Sequence, residues 1–250
     1  NPPMPLATES LSAAELTRSN RRFYDTLGAR AKLVEPSRFN TWPLLQELAR
    51  HAPRRLEVAP GLRPRLPLEA TCFVDLSHTA LRRLHEQGAS AVHGMIGALP
   101  CRDASFDLIC ALDILEHVAD DRAALAELAR VATPGASVLL SVPLHPEAWT
   151  AFDEFVGHCR RYEPTQILAL LRQHGFHLEH SAIYGMQPKS PRLLELGQWF
   201  LTHQRERAMW WYNRAFMPLG LRFQKPLRWR DGLGETRGVD ELLLRCRYAG

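Results

Sequence analysis

Two carboxylates stand where a parallel α/β protein does its chemistry. In "RRLEVAPGLRPRLPL" (54–68) Glu57 closes an apolar strand and is followed at once by Ala59, Pro60 and Gly61; in "CFVDLS" (72–77) Asp75 closes a second strand. A carboxylate in an apolar strand end is costly unless a cation or a hydrogen-bond donor meets it, and the ammonium of an amino-acid-like ligand would do so at Glu57. Asp75 stands 14 residues after Gly61, about where an acid accepts both hydroxyls of a ribose. Beside Ser77 the same Asp also fits a helix cap, and the residues alone leave both uses open. Pro60, Pro64 and Pro67 disfavour a helix running directly from Gly61, so a pyrophosphate cradle at a helix N-terminus is not expected and a ligand without phosphates suits the loop better.

These residues need strands to place them, and the chain supplies a regular alternation. Strands are predicted over 54–59, 72–77, 91–95, 105–114, 137–143, 177–185 and 241–248, with helices over 81–88, after Asp120 and Asp121, and over 164–176. The 105–114 run "SFDLICALDI" has the continuous apolar character of a strand buried on both faces. Such alternation predicts βαβ units and a doubly wound, mostly parallel, seven-stranded Rossmann-like sheet. In an open sheet of this kind the ligand lies at the carboxyl ends of the strands, which selects Glu57 to Gly61, Asp75 with Leu76, Met95 with Ile96, and Leu112 with Asp113. Upstream, a capping box of Ser12 and Glu15 opens a helix over 12–27 and a second helix covers 41–51. The expected organisation is a leader and helical cap over 1–52, a core over 53–186 and 240–250, and an inserted lid over 187–239 before the last strand. That insertion is far longer than a hairpin needs.

The order of these features resembles the class I S-adenosylmethionine-dependent methyltransferases, in particular the bacterial small-molecule group related to ubiquinone and menaquinone methyltransferases. "LEVAPG" stands where that family has its "LDVGCG" loop, and "FVDLS" matches its ribose-binding acid. "LPCRDASFDLICALDILEHVADD" follows its "SFD" and "LEHV" region, "ARVATPGASVLLSVP" its "LRPGG" segment, and "VGHCRRYEPTQILALLRQHGF" a common downstream block. The resemblance spans about 54–183. It implies S-adenosylmethionine as cofactor and S-adenosylhomocysteine as product. Glu57 would bind at the methionine amino end, backbone at Ala59 and Gly61 would pass the methionine, Asp75 would hold the ribose and Leu76 would lie beside the adenine. Backbone at Leu112 or Asp113 would line the methionine side, with His117 supporting that loop. Two positions depart from the pattern: Ala59 replaces the second glycine and cannot easily take a positive φ, so a slightly different loop path is expected, and Met95 replaces the acid that reads the adenine amino group.

Methyl transfer from a sulfonium is an in-line displacement that needs a nucleophile about 3 Å from the methyl, and a base only where the acceptor is protonated. In "PLHPEAWTAFDEFVGHCRRYEP" (143–164) His145, Asp153, His158 and Tyr162 are candidates to take or relay a proton, and Arg160 or Arg161 to orient an acidic acceptor. His158 is the first choice as base, Arg161 with Tyr162 as orienting pair. The same block also fits a structural account, with Asp153 paired to an Arg and His158 bonded to backbone. In the insertion, residues 199–230 interleave Trp199, Trp210, Trp211, Tyr212, Phe216, Phe223 and Trp229 with arginines. That pattern fits a helical cap, a peripheral membrane contact, a stacking surface for single-stranded nucleic acid or, the preferred use, a lid over an apolar quinone-, polyketide- or acyl-like acceptor.

Composition narrows the field. The 250 residues are 46% hydrophobic and 23% charged, as in an ordinary soluble protein, and no apolar run is long enough to span a bilayer; a cytoplasmic location is expected. The five cysteines lack metal-ligand spacing and are expected to be reduced thiols, and no metal is required. A net charge of +4 with no RNA-binding module argues against nucleic acid. The absence of G-x-G-x-x-G argues against a nicotinamide enzyme. The expected activity is methyl transfer to a small, largely apolar acceptor at oxygen, the alternative being a noncatalytic binding or scaffold protein with this fold.

Overall fold

The computed structural model describes residues 32–185, 217–222 and 224–250, together with Trp199, His203, Gln204 and Trp211. Among these residues eight strands form one sheet in the order β3-β2-β1-β4-β5-β8-β6-β7. They are β1 (Arg55–Val58), β2 (Thr71–Asp75), β3 (Ser90–His93), β4 (Phe106–Ala111), β5 (Ala132–Pro143), β6 (Phe176–Tyr184), β7 (Arg230–Asp231) and β8 (Glu241–Tyr248). The first five pair parallel with one another, whereas β8 runs antiparallel between β5 and β6. The expected seven strands become eight because Arg230 and Asp231, inside the insertion, pair with Ser181 and His180 at the edge of β6. Two residues of ordinary polar sequence carry no strand signal, so only the neighbouring edge creates this one.

Both faces of the sheet are covered, as a parallel sheet requires. On one, Leu56, Val58, Ile109, Val138, Leu140, Leu242 and Leu244 pack against α3 (Asp121–Val131) and α5 (Pro164–Gln173). On the other, the alternate residues Leu108, Cys110, Leu139 and Leu243 meet Leu45 and Ala49 of α1 (Trp42–His51), with Leu66 from the loop after β1. Near the β3 edge Phe73 and Ala91 meet Leu81 and Leu84 of α2 (His78–Glu86). Asp120 caps its helix as the sequence places it, accepting from Ala123 N–H, whereas α2 starts three residues earlier than predicted and is capped by Ser77, which accepts from Ala80 N–H.

No helix joins β1 to β2. Residues 59–70 make the parallel crossover as an irregular loop, in keeping with its prolines. The loop takes its path by an unexpected means, because Ala59 adopts a left-handed φ of 55°, as does Gly61. Ala59 thus takes the left-handed conformation that a glycine would adopt freely, at about 1–2 kcal/mol of strain for a residue with a Cβ. Gly94, after β3, is needed for space: a Cβ there would lie 2.6 Å from Pro100 Cδ and 2.9 Å from Val74 Cγ1. The predicted helix over 12–27 and most of the insertion, including Trp210, Tyr212, Phe216 and Phe223, lie outside the described residues. No helix among the described residues is long and apolar enough to cross a membrane.

Candidate functional site

The carboxyl ends of β1, β2, β4 and β5 bring the first group of predicted residues into one cleft. Asp75 is buried and latches the loop: Oδ2 accepts Gly61 N–H at 2.8 Å and Oδ1 accepts Ser77 N–H at 2.7 Å. Glu57 is 2% exposed and does not wait for a ligand to satisfy it. Its carboxylate accepts Arg65 N–H at 2.8 and 3.0 Å and Leu66 N–H at 2.8 Å. Burial nonetheless outweighs these donors and pushes the Glu57 carboxyl up to about 7. Leu76 is half-buried beside Asp75, Ile96 is buried, and Met95 is exposed in the turn after β3.

Leu112 is buried, and Asp113 turns the chain at a φ of 55°. Ser141, on β5, fixes that turn, since its Oγ accepts Asp113 N–H at 2.7 Å and donates to Asp113 Oδ1 at 2.5 Å. Arg65 Nη2 lies 3.6 Å from Asp113 Oδ2, with its guanidinium 3.8 Å above the Phe39 ring. Desolvation in the cleft opposes the charge on Asp113, but Arg65 and hydrogen bonds from Glu241 and Ser141 hold it below the usual carboxylate range. Glu241 moves the other way, pushed well above its ordinary value by burial and then by Asp113. The neighbouring carboxyls thus oppose each other, Asp113 favouring the charged form and Glu241 the protonated one. Sequence reasoning did not single out Arg65, Ser141 or Glu241. They reach the cleft from the loop after β1 and from β5 and β8, and only Arg65, in a proline-bounded stretch, carried a local signal.

The downstream block divides sharply. Thr150 and Asp153 form a capping box that starts the short helix α4 (Ala151–Val156), and Gly157, with a φ of 79°, ends it and sets the position of His158. Asp153 is fully buried in a bidentate pair with Arg161, Nε to Oδ1 at 2.8 Å and Nη2 to Oδ2 at 2.9 Å, and Arg161 also reaches Asp240 at 2.6 Å. Burial raises the cost of the Asp153 charge, and hydrogen bonds from His158 and Arg161 still hold the group well below its usual range. Tyr162 is buried and donates to Asp121 Oδ2 at 3.0 Å; burial and Asp121 push its hydroxyl far up. Arg160 binds Asp121 and the carbonyls of Val118 and Ala119, and His145 Nε2 meets Thr236 O at 2.7 Å. Asp153, Arg161 and Tyr162 are therefore buried and each is paired within the fold.

His158 differs. Its Nδ1 is bonded to Asp153 Oδ1 at 2.8 Å, rather than to backbone, which directs Nε2 to within 3.9 Å of Glu116 Oε1. His117, buried beside it, meets Gly157 O through Nδ1 at 3.2 Å, with the two imidazoles edge to face at 4.7 Å. Burial and then His158 push the His117 imidazole down to about 3, so this ring is neutral. Burial and then Asp113 push Glu116 well above the usual range. The structure thus brings His117 and His158 together with Glu116, a residue whose signal was a carboxylate inside the apolar run "DILEHV". All five cysteines are free thiols.

Residues 58–140, a third of the chain, match a family described as a methyltransferase domain. A protein of Mycolicibacterium smegmatis described as a probable S-adenosylmethionine-dependent methyltransferase is 32% identical over 91 residues, 35% of this chain and 35% of that protein. The chain therefore matches about a third of the length of that curated relative. Among solved structures, an S-adenosylmethionine-dependent methyltransferase from Thermotoga maritima aligns with a TM-score of 0.58 at 14% identity, covering 93% of this chain and 97% of the other. The [4+2]-cyclase SpnF aligns with a TM-score of 0.56 at 15% identity, covering 95% and 96%. These likenesses show a Rossmann-like methyltransferase fold with a mostly parallel central sheet.

Proposed function

We propose that this chain is an S-adenosylmethionine-dependent methyltransferase that delivers the methyl group to oxygen on a small, largely apolar acceptor. The observation that carries this reading is the latch between Gly61 and Asp75, which sets a carboxylate and a strained backbone loop at the switch point of the sheet, inside the matched domain. The residues present fit such a cofactor. Asp75 offers a carboxylate at the strand end for a ribose diol, and Arg65 beside Asp113 sets one positive and one negative group near the loop, the complement of an amino-acid zwitterion. The loop has no helix N-terminus for phosphates.

When bound, S-adenosylmethionine supplies an electrophilic methyl on sulfonium. The protein's own part is to hold the reacting atoms in line, exclude water and receive a proton. Oxygen is favoured as acceptor atom because a hydroxyl needs a proton acceptor, and the His158 imidazole is held for that task by Asp153. Exposed Trp199, Trp211 and Leu219 on the insertion support an apolar acceptor. So do Leu227 and Trp229, which pack with Tyr184 on the face of the sheet that carries Arg65.

A second reading, the fold used for binding without methyl transfer, is favoured by the burial of Asp75 under its own loop. Calorimetry separates the two. Micromolar binding of S-adenosylhomocysteine supports the enzyme, and no heat at millimolar ligand leaves the noncatalytic reading. In the active protein His158→Ala lowers turnover without changing cofactor affinity, and full activity in that variant removes His158 as proton acceptor.

A further inference from the structure

The carboxylate of Glu116 is an anomaly that methyl transfer does not explain. The residue is 2% exposed, and its Oε2 is buried with no hydrogen-bond partner. His158 Nε2 stands 3.9 Å from Oε1, beyond hydrogen-bond reach. Yet one donor atom each from Glu116, His117 and His158 lies within 4.8 Å of the others. Native proteins seldom leave a buried carboxylate oxygen without a partner, and two imidazoles gathered around it without hydrogen bonds to it do not relieve it.

The backbone around the trio is arranged for a further purpose. Asp153 holds Nδ1 of His158 at 2.8 Å and the carbonyl of Gly157 holds Nδ1 of His117 at 3.2 Å. An oxygen acceptor on one nitrogen of each ring, with the other nitrogens converging beside a carboxylate, is the outer-shell arrangement found around metal-bound histidines. We propose that Glu116, His117 and His158 form a binding site for one divalent transition-metal ion, zinc or manganese by the character of the donors. Two imidazoles and a carboxylate suit such borderline ions better than calcium or magnesium, which take oxygen ligands. Donors around a tetrahedral zinc stand roughly 3.4 Å apart, so the segment after α4 must draw in by about an ångström on binding. Three protein donors leave a coordination position open to water or to an acceptor oxygen. The ion would then stand where the transfer reading places a bare proton acceptor.

The site goes beyond the methyl-transfer reading, and its test needs no cofactor. Chain stripped with chelator is titrated with Zn2+, Mn2+ or Co2+ alone, by calorimetry and, for Co2+, by visible absorption. The expected result is one equivalent of Zn2+ or Mn2+ at micromolar or tighter affinity, weakened at least tenfold in Glu116→Gln and in His158→Gln, and unchanged in His51→Gln on the exposed end of α1. In the wild type, Mn2+ or Co2+ should broaden the ring resonances of His117 and His158 before those of other histidines, which reads the site even where a variant fails to fold. Absence of saturable binding up to millimolar metal, affinity that survives both variants, or broadening that spares these two rings overturns the proposal. S-adenosylhomocysteine binding, measured separately, decides the transfer reading on its own.

Discussion

Gly61 donates its backbone N–H to Asp75 Oδ2, so the loop that leaves β1 is tied to the end of β2 by a side chain. Removing that carboxylate takes away the loop's anchor together with the group read as the ribose acceptor. Asp75→Ala should weaken S-adenosylhomocysteine binding at least tenfold by calorimetry. Unchanged affinity would remove Asp75 from the cofactor site.

Ala59, at one end of that loop, takes a left-handed φ of 55°, as Ala70 does at the other end with 54°. Ala59→Gly should stabilise the protein by about 1 kcal/mol in urea unfolding, since glycine takes this conformation without the Cβ clash. Ala59→Val should lose more than that, because a β-branched side chain aggravates the clash. Equal stability of all three chains would show that the loop takes another path in solution.

Arg161 and Asp153 form a pair with no solvent on either side chain to replace a lost partner. Arg161→Met should cost about 3–5 kcal/mol, because it leaves Asp153 charged and buried. Tyr162→Phe should cost about 1 kcal/mol, the hydrogen bond to Asp121, and leave turnover unchanged. A selective fall in turnover for Tyr162→Phe, with the fold intact, would restore its role in orienting the acceptor.

How much of this was legible in the chain follows from what each feature depends on. The seven principal strands and the helices between them rest on local apolar period and capping residues and stand close to their predicted bounds, except that β5 starts at Ala132 and runs through Pro134 and Gly135, where a turn is predicted. The carboxylate latches at Glu57 and Asp75 could be located but not interpreted. Their partners are backbone amides of a loop whose path depends on a left-handed alanine. The block from 143 to 164 is rich in polar groups and fits proton chemistry and a structural network equally well by sequence. Burial, which sequence does not display, commits most of them to one another, and only His158 keeps a nitrogen directed elsewhere.

Glu57 sets a pH dependence with a definite sign. Its carboxyl rises from 4.5 to about 7 in the folded chain, so the folded state holds the proton more tightly than the unfolded state. The contribution is fully present below pH 4.5 and is lost as pH rises through 7. The isosteric Glu57→Gln, which never carries the charge, should therefore gain on the wild type between pH 5 and 7.5. The gain is at most about 3 kcal/mol, one pK unit being worth about 1.4 kcal/mol. Urea midpoints at the two pH values measure it, and a constant difference between the two chains would place the Glu57 carboxyl in its ordinary range.

The crossover from β1 to β2 is stapled rather than wound. A helix at this point would bring its own hydrogen bonds and would open only as a cooperative unit. Here the first loop turn hangs on Asp75 and the second on Glu57, two contacts that strands β1 and β2 hold out to a segment with no regular structure of its own. Leu66, fully buried against Leu45 and Ala49 of α1, adds an apolar anchor to the second staple. Amide exchange at Gly61 should therefore follow the Asp75 contact, and exchange at Arg65 and Leu66 the Glu57 contact together with the core beneath it.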